Sequence, residues 1–249
     1  MWKKVTSIVC ALVAVAAMSD RASAVLYEGI DFPQGAASFA DLVLFFDNTG
    51  NTDFPPGYSP DGVPTRASRL DPDNSLGEPD FITGLPDPTF DTGAVSIGRG
   101  GRLDVLFSDN VLTNSDTTDD DLHIFERGDD IEDTFVYIRP TNATAALLAV
   151  APGSYIAVGL ITGSTSSIDI DLYLPSAAAG TYKFNAVRLI DDPNEGNTGP
   201  GPTVGADIDA IGAISTQQVN PLPEPVNAVL VMLGLSAAAI KSFSRRRSA

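Results

Sequence analysis

Ser167-Ile168-Asp169-Ile170-Asp171-Leu172 alternates polar and apolar residues without a break. That period of two is the pattern of a strand with one face buried and one in water. Working outward, similar short runs recur on both sides: Asp41–Phe46, Ala94–Ile97, Arg102–Phe107, Leu122–Glu126, Thr134–Arg139, Tyr155–Ile161, Tyr182–Ile190 and Ile208–Ser215. Gly, Pro, Asn and Asp collect between them, as strand-flanking turns require. Helical periodicity is nearly absent. Many short strands divided by such turns predict an all-β body, an antiparallel β-sandwich or jelly roll. The polar stretch Asn48–Leu70 reads as an extended surface loop, Pro200-Gly201-Pro202 as a turn, and no internal repeat is visible.

The two ends have a different composition. Lys3 and Lys4 precede an apolar run, Val5–Met18, which is shorter than the roughly 20 residues a spanning helix needs. Ala22-Ser23-Ala24 follows, with small residues at the first and third positions. Basic start, short apolar run and small-residue site describe a secretory signal peptide over residues 1–24, with Ala22 and Ala24 as the cleavage residues and Val25 as the mature N-terminus. An uncleaved N-terminal anchor is the alternative. Cys10 lies within the apolar run behind Val9, a poor lipobox, and is the chain's single cysteine. The body over residues 25–216 therefore has no disulfide, and its core or a bound metal must hold it together.

At the other end, Pro223-Glu224-Pro225 leads into an apolar segment, 226–240, followed by Lys241 and Arg245-Arg246-Arg247. Prolines on both sides of Glu224 keep the tripeptide extended, a form that a protease can grip. The basic cluster holds the segment's far end on the cytoplasmic side. Residues 217–222 read as a linker between body and tail. This order over 223–249 resembles the PEP-CTERM sorting signal. The resemblance implies export across the inner membrane of a Gram-negative-type bacterium, a transient C-terminal membrane anchor through a hydrophobic sorting helix, and cleavage by an exosortase-type enzyme. An ordinary tail anchor is the alternative.

Segments of the body also look familiar in their order. Ser75-Leu76-Gly77-Glu78-Pro79-Asp80, Ala94–Phe107 with Gly98-Arg99-Gly100-Gly101, Asp121–Glu126, Phe184–Asp191 and Gly205-Ala206-Asp207-Ile208-Asp209-Ala210 follow one another. Over residues 70–215 they resemble a β-sandwich domain of exported bacterial surface proteins, similar to galactose-binding-like jelly rolls. Such domains imply a sugar ligand or a structural calcium.

Charge narrows the function further. The chain has 15 basic and 32 acidic residues; only 8 basic and 30 acidic ones lie between Val25 and Asn220, so the body is near −22. That field repels nucleic acid and favours cations or basic partners. Gly98–Gly101 lacks the third glycine and the following helix of a dinucleotide loop, and reads as a β-turn. His123 is the only histidine and sits in a strand pattern. With no second histidine, no mature cysteine and no GxSxG turn, the sequence offers no nucleophile–base pair, and no enzyme is expected. Asn142-Ala143-Thr144 is a formal glycosylation sequon.

Three acid pairs have i, i+2 spacing: Asp119 with Asp121, Asp169 with Asp171, and Asp207 with Asp209. On a strand each pair shares a face, where like charges repel and a hard cation such as Ca²⁺ would relieve them. A structural Ca²⁺ is expected at Asp119/Asp121 and Asp207/Asp209, with a buried hydrogen-bond role as the alternative for the latter; Asp169 and Asp171 read as a solvated face. The only Trp, Trp2, falls in the signal peptide and the tyrosines are scattered. The expected role is therefore structural or adhesive, in the cell surface or extracellular matrix, with a polysaccharide-binding module as the alternative.

Overall fold

The computed structural model describes residues 24–48, 70–81, 93–127, 132–162, 166–194 and 205–219. Their strands are β1 (Val25–Tyr27), β2 (Ile30–Phe32), β3 (Leu42–Asp47), β4 (Val95–Ser96), β5 (Arg102–Leu106), β6 (Asn110–Thr113), β7 (Leu122–Glu126), β8 (Asp133–Pro140), β9 (Ile156–Thr162), β10 (Ser166–Ile168), β11 (Lys183–Asp191), β12 (Asp207–Ala213) and β13 (Thr216–Gln218). One short α-helix, α1 (Asn142–Leu147), interrupts them. Every strand pairing is antiparallel. The all-β class expected from the alternating runs holds for these residues.

β11 is the hub of the larger sheet. β8 pairs along one edge of it. β5 and β6 share the other edge end to end, and β3 and β13 lie outside them. β9 pairs with the outer edge of β8. The smaller sheet has the order β10-β7-β12-β4. Leu103, Val105, Val136, Ile138, Phe184, Val187 and Leu189 of the larger sheet join Leu122, Ile124, Ile208 and Ile211 of the smaller one in a single buried layer. Two sheets on one apolar core give the sandwich-like arrangement.

β12 is buried at all seven positions. Ile208 and Ile211 enter the main core, whereas Ala210 joins Phe32, Phe39 and Phe125 in a second cluster on the opposite face. The β1–β2 hairpin supplies Phe32 and Tyr27 to that cluster; Phe32 and Phe39 have ring centroids 4.7 Å apart, and Tyr27 meets Phe39 edge-on at 5.4 Å. Gly212 is glycine because a Cβ would stand 2.5 Å from Phe32 Cε1 and 2.9 Å from Phe39 Cε1. The Gly98–Gly101 turn is equally tight. A Cβ on Gly101 would fall 1.6 Å from the Ile97 carbonyl oxygen, and Gly101 N–H donates to Gly98 O at 2.9 Å.

Three features depart from the sequence reading. Of the opening alternation only Ser167 and Ile168 are strand, within β10; Asp169 accepts the Asp171 N–H at 2.9 Å, and Ile170–Tyr173 turn into a 3-10 helix. An Asp side chain that captures a nearby backbone N–H competes with the ladder, and here it wins. β1, β2, β6 and β13 are too short to show alternation, and Gln217 and Gln218, read as linker, pair with Val111 and Asn110. Helix α1 starts at the sequon residues, capped by Thr141, whose side chain accepts the Thr144 N–H.

The signal peptide through Ser23, all but the two end residues of the 48–70 loop, and the tail including Pro223, Glu224, Pro225, Lys241 and Arg245–Arg247 lie outside the described residues. Among the described residues no helix is long and apolar enough to cross a membrane. Ala24 is described and exposed, one residue before β1.

The second cluster makes a prediction. Phe125→Ala should lose about 3–5 kcal/mol in a denaturant titration, the usual cost of emptying a buried aromatic site. Leu172→Ala, at a side chain 74% exposed, should stay within about 0.5 kcal/mol of wild type. Equal losses would place the core elsewhere.

Candidate functional site

Among the described residues, the ionisable side chains that the fold buries lie in four places. The first follows from the register of β7 and β10. Leu122 pairs with Ile168, so the antiparallel ladder brings Asp121 beside Asp169 although they are far apart in sequence. Asp121 N–H donates to Ile168 O at 2.9 Å, and Asp121 Oδ2 accepts the Ile170 N–H at 3.1 Å. The 3-10 turn then swings Asp171 into the same spot. One carboxylate oxygen from each of Asp121, Asp169 and Asp171 lies within 4.8 Å of the other two.

Asp121 is fully buried there, and its Oδ1 has no hydrogen-bond partner. Burial pushes its pKa up to about 6, eased by the nearby Ser215 and Ser115 hydroxyls and the Ile170 N–H and raised again by Asp171. Asp171 Oδ2 accepts three bonds, from Ser115 N–H (2.9 Å), Ser115 Oγ–H (3.1 Å) and Asp116 N–H (2.8 Å).

This is not the pairing that the spacing suggested. Asp119 stands exposed in the β6–β7 loop, where its Oδ2 accepts the Thr117 hydroxyl at 3.2 Å. Neither Asp119 nor Asp121 is in a strand, so the shared-face argument does not reach them.

The second place is the start of β12. A bulge between Ile208 and Ala210 gives Asp207 and Asp209 different surroundings. Asp209 Oδ2 meets the Arg127 guanidinium at 2.9 Å, and Asp209 Oδ1 accepts the Asp80 N–H at 3.1 Å. Burial raises the Asp209 pKa, against the pull of the Asp80 N–H and Arg127. Its partner is an arginine and backbone, the hydrogen-bond role that the sequence left open for it.

Asp207 belongs with Glu126, Glu132 and Asp191, all buried. Burial, then Glu132, Asp207 and Asp191 in turn, drive Glu126 up to about 9. Asp191 fastens the glycine turn to β12, accepting Gly100 N–H at 2.8 Å and Ala206 N–H at 3.1 Å.

His123 is the third. It faces the second cluster, edge-on to Phe125 at 4.5 Å between centroids, and burial lowers its pKa to about 4. A serine meets this histidine, with Ser167 Oγ 2.5 Å from Nδ1. Pairing of Ser167 with His123 across β10 and β7 creates the contact, which no sequence motif announces. Among the described residues Nε2 has no hydrogen-bond partner.

The fourth lies on the outer face of the larger sheet. Asp104, 3% exposed, takes Arg102 at 2.5 Å and Arg188 at 2.8 Å. Burial raises its pKa, but the two guanidinium groups outweigh that and hold it below the ordinary carboxylate value. Arg188 stacks 3.7 Å over Tyr155, and Arg102 sits 4.4 Å over Phe45. Exposed Phe135 and Leu160 pair next to this patch.

No protein-family model, curated protein or solved structure matches this chain.

The buried acids make stability depend on pH. Glu126 keeps its proton when folded and loses it when unfolded, so its contribution is complete below about pH 4.5 and is lost as pH rises toward 9. His123 acts oppositely, costing stability as pH falls below 6.5. Between pH 7 and 8.5 the carboxylate effect therefore stands alone. In EDTA, the unfolding free energy should fall across that interval by up to about 1.4 kcal/mol per pH unit for one proton. Glu126→Gln should flatten the slope; an equally steep variant would refute the assignment.

Proposed function

We propose that the chain is an exported protein of the cell surface or extracellular matrix, processed at both ends, with a structural or adhesive role. One observation carries this reading: Pro223-Glu224-Pro225, the apolar segment 226–240 and the basic cluster Lys241 and Arg245–Arg247 stand in the order of a PEP-CTERM signal, behind a signal peptide. A signal peptidase and an exosortase-type enzyme are its processing partners. The C-terminal segment holds it transiently in the inner membrane of a Gram-negative-type bacterium. The acidic body fits a hydrated matrix and disfavours nucleic acid. It is not read as an enzyme, and its sandwich is taken as a galactose-binding-like jelly roll.

A second reading, a polysaccharide-binding module, gains one argument from the fold. The outer face of the larger sheet gathers Phe45, Phe135, Tyr137 and Tyr155 with Arg102, Arg139 and Arg188. Aromatic faces stack on sugar rings, and guanidinium groups bind carboxylated or sulfated ones in bidentate fashion.

Mass spectrometry of the protein from its native host should find an N-terminus near Val25 and a C-terminus close to Pro223. Retention of Arg245–Arg247 in most surface molecules would refute sorting-tail cleavage. A glycan array should show no saturable binding if the role is structural. Binding to one anionic polysaccharide class, lost in Tyr155→Ala, would favour the second reading.

A further inference from the structure

We propose that Asp121, Asp169 and Asp171 bind a calcium ion that ties the β6–β7 loop and the Ile170–Tyr173 turn to the end of the β7–β10 ladder. Calcium–oxygen bonds of about 2.3–2.6 Å allow two oxygens on one ion to be up to about 5 Å apart. The carboxylate oxygens here lie within 4.8 Å of one another; at that upper limit an ion at their centre would stand about 2.8 Å from each, so a small closure of the side chains brings all three into bonding range.

A cluster of acids alone would not justify a ligand; surface acids gather often. Asp121 adds a separate observation. Its side chain has no exposure and its Oδ1 no hydrogen bond, although a buried carboxylate oxygen left unbonded is costly. Three other buried acids have partners that balance them: Arg127 for Asp209, Arg102 and Arg188 for Asp104, backbone N–H groups for Asp191. Among the described residues no cationic side chain pairs with Asp121.

The second-sphere bonds suit ion binding. Asp169 Oδ1 is held by the Asp171 N–H, and Asp171 Oδ2 by Ser115 and Asp116. Each of these two carboxylates keeps its other oxygen for an ion. Both residues are partly exposed, which gives an ion and its waters a way in. The donor set is oxygen only, which selects a hard cation. Calcium fits better than magnesium because it accepts irregular geometry and more carboxylate ligands.

The test is thermal melting and titration calorimetry of the full chain in EDTA, CaCl₂, MgCl₂ and NaCl of matched ionic strength. Calcium at a hundred times its dissociation constant should raise the melting temperature by roughly 5–10 °C beyond sodium chloride, with magnesium weaker. Asp169→Asn keeps the acceptor for the Asp171 N–H while removing charge, and should weaken calcium binding at least tenfold. Asp121→Asn should abolish the calcium gain and itself raise the melting temperature in EDTA. Asp119→Asn and Asp207→Asn should bind as wild type. A calcium gain no larger than that of sodium chloride would overturn the proposal. So would wild-type affinity in Asp169→Asn, or a lost gain in Asp207→Asn with Asp169→Asn intact.

Discussion

Covering both faces of β12 is the constraint on which the rest of the structure depends. A strand that packs on two sides must be small or apolar along its length, and Ile208, Ala210, Ile211, Gly212 and Ala213 meet that need. The price is that Asp207 and Asp209 are buried with it. For Asp209 the answer is Arg127 and the Asp80 and Phe81 N–H groups on its carboxylate, and Asp191 secures the strand's entry through the Ala206 N–H. In a disulfide-free domain this strand takes the part that covalent links play in many small exported proteins.

Carboxylates in this body are therefore of two kinds. Most are solvated and supply the negative charge of the surface. A few are drawn inside, where they are neutralised by arginine, by a proton or, as proposed for Asp121, by a cation. The same chemistry that makes the surface acidic makes the interior sensitive to pH and to hard cations. A protein in an extracellular polymer, the location proposed above, would meet both variables directly.

The strands were legible in sequence wherever alternation ran long enough; β7, β8, β11 and β12 are within a residue or two of where their patterns placed them. The opening segment was legible only to Ile168, because the Asp169 side chain redirects the backbone. Gly98–Gly101 was readable as a turn from its glycines alone. The acid cluster was not readable. Local spacing paired Asp119 with Asp121, whereas the β7–β10 register pairs Asp121 with Asp169, and register between distant strands leaves no mark in a short window. The Ser167–His123 contact was hidden for the same reason.

Native-state hydrogen exchange on the full chain tests the central role of β12 most directly. If both faces are sealed, the amides of Ile208–Gly212 open only with global unfolding and are among the slowest in the protein. Those of edge strands β9 and β13 exchange through smaller openings. Exchange in β12 as fast as in β13 would contradict the account, because the strand would then be a surface element and its buried acids would not need the partners assigned to them.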